Sequence, residues 1–210
     1  MNFDGGKDSI FKGFNSMERS AHIERKTNET DITLKCILDS GDASTITTGI
    51  GFFNHMLTLF VMHGRMNIQL NAKGDLEVDD HHTVEDIGIC MGKAFNKALG
   101  DKSGISRFGQ ATIPMDEACT AAVVDISGRG CFVYKGDKLT GAIGQYQEEL
   151  TLEFFQSFAH NALITLHIQQ MYGDNRHHIH ESIFKAAGLA LYRAYSLSEH
   201  TGIPSTKGVL

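Results

Sequence analysis

Along this chain, stretches of period-two or β-branched residues give way to stretches of helical spacing, and the succession runs twice. Residues 21–26, 31–38 and 44–48 predict three strands, with a turn at Gly41-Asp42 between the last two. From 52 to 63 the period becomes helical, with Phe53, Met56, Leu57 and Phe60 on one apolar stripe. Residues 66–72 predict a strand and Lys73-Gly74-Asp75 a turn. Residues 83–99 predict a long amphipathic helix closed by Gly100. The second half repeats the order: strands at 110–115, 118–125 and 131–134, a helix at 151–163, a strand at 166–172 and a last helix at 179–195.

Such a repeat predicts an internal duplication: an α+β protein of two halves, each a mostly antiparallel four-stranded sheet carrying two helices on one face. The boundaries fall at 17–104 and 105–203, with a flexible extension over 1–16 and a short tail over 204–210. A helix layer as apolar as Phe154, Phe155 and Phe158 requires a cover, either the other half or another subunit.

One pentapeptide pattern recurs at the same place in both halves. His81-His82-Thr83-Val84-Glu85 and His177-His178-Ile179-His180-Glu181 both read HHxxE, 96 residues apart, at the start of the last helix of each half. A helix turns about 100° per residue, so the Glu lies near both His, while the adjacent His diverge. One such turn offers His-plus-carboxylate grips in two directions, and two copies could hold two metal ions. Imidazole and carboxylate without thiolate suit Mn, Fe, Zn or Ni, and open positions favour a six-coordinate ion. His55 on the short helix of the first half and Glu153 on that of the second are further candidates. Taken alone, either motif could be a polar helix start with Glu near the positive end of the dipole.

Composition narrows the classes. With 19 basic and 25 acidic residues the net charge is −6, which disfavours a nucleic-acid or membrane electrostatic footprint. Cys36, Cys90, Cys119 and Cys131 form no CxxC pair, so neither zinc knuckle nor disulfide framework is expected and a reducing cytoplasmic setting is. The most apolar window, 50–62, is interrupted by Asn54 and His55 and is too short to span a bilayer. Arg107 and Arg129 stand on Gly-flanked loops, where a guanidinium could bind phosphate or simply be a surface charge. Glu29 stands in a polar hairpin, Lys185 one turn beyond Glu181, and Ser205 and Lys207 in the tail. His63, His160, His167 and His180 are either supporting groups or ordinary residues.

Several segments together resemble the imidazoleglycerol-phosphate dehydratase family: Gly51-Phe52-Phe53-Asn54-His55-Met56-Leu57, Asp80 to Gly88, Asp125-Ile126-Ser127-Gly128-Arg129, Thr165-Leu166-His167, His177-His178 with Glu181, and Ser205 to Leu210. The likeness runs from about Arg19 to Leu210 and is similar in fold to ribosomal protein S5 domain 2-like halves. It implies two Mn ions per active site and an assembly of 24 subunits built from trimers, with sites completed across subunit contacts. It assigns one ion to His81, His177, Glu181 and position 153, and the other to His55, His82, Glu85 and His178. Many members have His where this chain has Glu153, so a carboxylate oxygen would replace an imidazole there, unless His160 or His167 takes the place.

The resemblance further implies that a phosphorylated imidazole diol is dehydrated to the ketone in histidine biosynthesis. A metal-bound imidazolate expels the hydroxyl and a diazafulvene acidifies the next C–H, which a carboxylate at its ordinary pKa could not otherwise remove. Catalytic roles fall to Glu29, Glu85 and Glu181. Substrate contacts fall to Glu29, His55, His63, His81, His82, Arg107, Arg129, His177, Lys185, Ser205 and Lys207. Two other classes use the same ligand types: a two-metal phosphoesterase, and a non-enzymatic metal-binding shell.

Overall fold

The computed structural model of the protein describes residues 19–40, 42–199 and 201–210. The extension expected over 1–16, and Gly41 of the first expected turn, lie outside the described residues. In chain order the elements are β1 (Ser20–Lys26), β2 (Thr30–Leu38), β3 (Thr45–Thr47), α1 (Gly51–His63), β4 (Met66–Gly74), α2 (His81–Leu99), β5 (Phe108–Met115), β6 (Ala118–Asp125), β7 (Cys131–Lys135), β8 (Ala142–Ile143), β9 (Tyr146–Gln147), α3 (Leu150–Ala162), β10 (Thr165–Tyr172) and α4 (Arg176–Tyr195).

Two four-stranded sheets have the same topology, β1-β2-β4-β3 and β5-β6-β10-β7. In each, two pairings are antiparallel and the last, β3 with β4 or β7 with β10, is parallel, because a helical crossover joins those strands. Strand β2 alternates strictly, with Ile32, Leu34, Cys36 and Leu38 buried and the residues between them turned outward.

The cover required by the apolar helix layer comes from the other half. Helix α2 packs on α3 and α1 on α4, so each contact takes one helix from each repeat, and the helices lie between the two sheets. Phe53, Met56, Leu57 and Phe60 of α1 and Phe154, Phe155 and Phe158 of α3 are all at most 1% exposed. Glycines allow the helices to meet closely. Gly92 and Gly188 each stand 11 residues after the first His of their motif. A Cβ on Gly92 would lie 2.5 Å from the Phe158 carbonyl oxygen, and one on Gly188 would lie 2.3 Å from that of Phe60.

Side chains tie each motif helix to its own sheet. Asp86 on α2 is 5% exposed, is ion-paired with Arg25 of β1 at 2.7 Å, and accepts from Thr30 of β2. At the corresponding position of α4, Ser182 shares a 2.7 Å hydroxyl contact with Thr120 of β6. The same joint is thus charged in one half and neutral in the other.

Two local expectations need correction, and one element was not foreseen. Strand β4 runs on through Lys73 and Gly74, because β2 supplies partners as far as Thr30, so the turn begins only at Asp75. The motif helices begin before 83 and 179: Asp79 accepts the His81 N–H at 2.7 Å, and Asn175 caps the N–H groups of His177 and His178. The short β8–β9 hairpin has too few residues for any periodicity to reveal it.

Gly188→Ala should therefore destabilise the protein by about 2 kcal/mol, since a clash with rigid backbone costs ~1–3 kcal/mol and outweighs the ~1 kcal/mol that Ala gains in helix propensity. A urea midpoint unchanged from wild type would contradict the close contact. Gly202→Ala, whose Cβ meets nothing within 4 Å, serves as the neutral control.

Candidate metal centre and phosphate-binding surface

The crossed helix contacts decide which ligand types meet. His55 on α1 faces the first two turns of α4, where its Nε2 lies 3.1 Å from Glu181 Oε1, and His177 Nε2 reaches the same oxygen at 3.1 Å. Within the first turn of α1 the Asn54 side-chain oxygen accepts from the Thr48 N–H and hydroxyl, which ties the turn from which His55 projects to the segment before it. On the other contact, His81 and Glu85 of α2 meet Glu153 of α3. In both groups the potential ligand atoms lie within 4.8 Å of one another.

Within one chain this grouping overlaps the one that the resemblance implied in part, keeping His177 with Glu181 and His81 with Glu153. Within a chain, His55 joins His177 and Glu181 rather than His82, Glu85 and His178, because α1 packs on α4 and not on α2. Glu153 sits with His81 and Glu85, while the two histidines considered in its place lie elsewhere. His160, near the other end of α3, engages the Gln156 carbonyl oxygen at 2.9 Å, and His167 is exposed on β10.

The second His of each motif turns away from its neighbour, as the 100° step requires. His82 Nδ1 lies 3.0 Å from Asp75 Oδ2 and its Nε2 3.9 Å from Glu29 Oε1. His178 Nδ1 lies 2.6 Å from Glu117 Oε2 and its Nε2 3.8 Å from Asp116 Oδ2. These carboxylates raise the pKa of both imidazoles, and the His178 contact together with the Asn175 N–H holds Glu117 down at about 2.

Glu181 is the most enclosed ligand candidate, its side chain 11% exposed against 45% for His55 and 43% for His177. Burial works against its charge, yet Lys185, His55 and His177 outweigh this and hold it at about 2. It therefore remains an ionised acceptor at any physiological pH. Lys185 gives its ammonium to Glu181, one turn away on the same helix. His63, at the end of α1, is half-buried, and burial and then Lys185 lower its pKa. It belongs to neither cluster.

The phosphate candidates gather at the opposite end of α4. Arg107 is in the left-handed region at φ 68°, a conformation that costs a non-glycine residue ~1 kcal/mol or more. Its N–H donates to the Ala194 carbonyl, its Nε to Asp125 at 2.8 Å, and its guanidinium to the Pro204 carbonyl at 2.8 Å. The tail folds back over Gly128, where a Cβ would lie 2.5 Å from Leu210, and so comes beside Arg129. In the same tail the Ser205 hydroxyl accepts the Lys207 N–H. Arg107, Arg129, Ser205 and Lys207 thus share one end of the fold.

Sequence reasoning assigned no role to His180, which the structure buries completely. Its Nδ1 lies 2.8 Å from Thr151 Oγ1, which also meets the Tyr146 hydroxyl at 3.0 Å, and its Nε2 lies 3.4 Å from Glu148. Glu148 is itself paired with Arg176 at 2.7 Å. The set ties the β9–α3 connection to the start of α4 and so fixes the two ligand-bearing helix starts relative to each other. Asp75, Glu117, Glu148 and Thr151 were likewise missed. Except for Asp75, the histidines they meet are 29 to 61 residues distant, beyond any local pattern.

Comparison with known proteins gives one consistent result. A family model described as imidazoleglycerol-phosphate dehydratase matches residues 48–191. Curated imidazoleglycerol-phosphate dehydratases of Methanocella arvoryzae and Oceanobacillus iheyensis are 53% and 52% identical to the chain, each alignment covering 91% of it and 100% of the relative. The crystal structure of that enzyme from Staphylococcus aureus superposes with a TM-score of 0.78 at 37% identity, covering 85% of this chain and 99% of the other. The one from Pyrococcus furiosus gives 0.77 at 36%, covering 90% and 100%.

Burial pushes the His180 pKa down to about 4, against about 6.5 for a free imidazole. A lowered imidazole pKa gives stability that is complete above pH 6.5 and lost as the pH falls towards 4. In chelator-treated protein, wild type should therefore lose up to about 3 kcal/mol through this group between pH 6.5 and 4. His180→Gln should show a flatter course of urea midpoint against pH, and parallel curves would contradict a buried neutral ring.

Proposed function

The chain belongs to the imidazoleglycerol-phosphate dehydratase family, hydro-lyases of histidine biosynthesis, and from that premise we propose that its working site forms between copies of the chain around two divalent ions. The observation that carries the reading is a distance. Arg107 is bonded to Ala194 and the His55 cluster includes His177, and 17 residues of helix between them span about 26 Å. A substrate consisting of one imidazole ring, a three-carbon chain and a phosphate cannot bridge that gap within one chain. A second copy is required to bring its phosphate-binding end to the first copy's ligand clusters.

The residues fit the ions that the family resemblance implies. His55, His177 and Glu181 offer two nitrogens and an oxygen. His81, Glu85 and Glu153 offer one nitrogen and two carboxylates, and neither set has a thiolate. Such donors suit Mn. His82 and His178 point out of their own clusters, and we read them as the ligands each chain extends to a neighbour's. A divalent ion at each position would supply Lewis acidity to the ring nitrogens of the bound diol. We extend the reading to the 24-subunit assembly and to a reducing cytoplasmic setting, the latter supported by four cysteines without a disulfide.

The chain's own groups then have separate tasks. Arg107, Arg129, Ser205 and Lys207 take the phosphate and so orient the three-carbon chain, a positioning effect worth several kcal/mol of barrier. Glu29, on the β1–β2 turn beside His82 Nε2, accompanies that ring into the neighbour's site. There it takes up the carbon-bound proton and returns one to the departing hydroxyl, and the enol left after loss of water becomes the ketone. Membership of the dehydratase family displaces both the phosphoesterase reading and the metal-shell reading.

Co-assembling Arg107→Ala chains with His177→Asn chains should restore part of the activity that each lacks alone, because hybrid sites combine an intact cluster with an intact phosphate end. Absence of any recovery in verified mixed assemblies would refute a shared site. Glu153→Ala should lower the number of Mn ions retained per chain, and Glu153→His should restore it. Full retention by the alanine variant would remove Glu153 from the ligands.

A further inference from the structure

We propose that Asp75 and Glu117 are positioning residues: each accepts the Nδ1–H of the second histidine of its motif, His82 and His178, and thereby turns that ring's Nε2 lone pair outward to the neighbouring copy. This rests on the shared-site reading above. A neutral imidazole has one donor and one acceptor nitrogen, and the bond made by one fixes the role of the other. Asp75 presents both oxygens to His82 Nδ1, at 3.0 and 3.3 Å, and Glu117 Oε2 lies 2.6 Å from His178 Nδ1. The acid oxygens facing the two Nε2 atoms stand 3.9 and 3.8 Å away, outside hydrogen-bond range. In both rings, then, Nδ1 is engaged and Nε2 is the open nitrogen.

Neither carboxylate is free to wander. Glu117 uses its other oxygen to accept the Asn175 N–H at 2.7 Å, which joins the β5–β6 turn to the start of α4. Asp75 donates its N–H to the Glu29 carbonyl and accepts from the Val78 N–H, so its backbone is bound on both sides.

The origin of the two groups argues that the contact itself is what both halves require. The halves share their strand order and motif position, yet Asp75 lies on the β4–α2 loop and Glu117 on the β5–β6 turn. Duplication alone would have left the same residue at the same place. Instead, one ring atom is met in both halves by a carboxylate from a different place in the repeat. A carboxylate behind a ligating imidazole fixes its tautomer and raises its basicity, and losing one weakens metal binding 10- to 100-fold.

The test is a Mn titration of the assembled protein, with free ion read by electron paramagnetic resonance. Asp75→Ala and Glu117→Ala should each weaken one of the two classes of bound ion 10- to 100-fold and leave the other unchanged. Asp75→Asn and Glu117→Gln, which keep a neutral acceptor oxygen, should fall between alanine and wild type. Thermal midpoints measured with chelator separate a loss of fold from a loss of affinity. Wild-type affinity in both alanine variants, with His82→Ala and His178→Ala losing an ion, would overturn the positioning role alone. Wild-type affinity in all four would overturn it together with the shared-site reading.

Discussion

Each long motif helix rests against the short helix of the opposite half, at a distance that only glycine permits. With no Cβ at Gly92 or Gly188, α2 settles on α3 and α4 on α1, and backbone comes close to backbone along both contacts. The ligand clusters follow from these two crossings, since each combines the motif of one half with a single residue, His55 or Glu153, from the short helix of the other. Neither half contains a complete cluster. Had each pair of helices packed within its own repeat, the same side chains would have met different partners.

The crossings also explain why adjacent histidines divide their labour. One residue of helical advance sends His81 and His177 into their own clusters and His82 and His178 away from them. The outward pair arrives at carboxylates of its own, and the acid–base candidate Glu29 stands beside one of these rings. On the reading proposed above, a chain with candidate ligands facing two ways, and with its phosphate candidates a helix length from the His55 cluster, is completed by its copies. His55, His81 and His177 each leave close to half of the side chain exposed.

The two clusters differ in charge. Glu181 stays ionised despite its burial because Lys185 and two imidazoles surround it, while Glu85 and Glu153 bring two carboxylates to a single histidine. The second cluster is thus the more anionic of the two. Beneath the first lies the neutral, buried His180, held by Thr151 and Glu148. Its depressed pKa keeps a further positive charge out of the space directly under the ligands.

Much of the fold was legible along the chain because periodicity is a local property. The succession of strands and helices, its repetition, the stripe from Phe53 to Phe60 and the place of both HHxxE motifs at helix starts follow from spacing alone. The assignment of His55 to His177, of Glu85 to Glu153 and of His180 to the interior required the tertiary structure. So did the carboxylates behind His82 and His178. Helical period fixes which face a side chain occupies, but not what that face will touch. That choice was made by glycine clearances and side-chain contacts between segments tens of residues apart, and no local pattern encodes it.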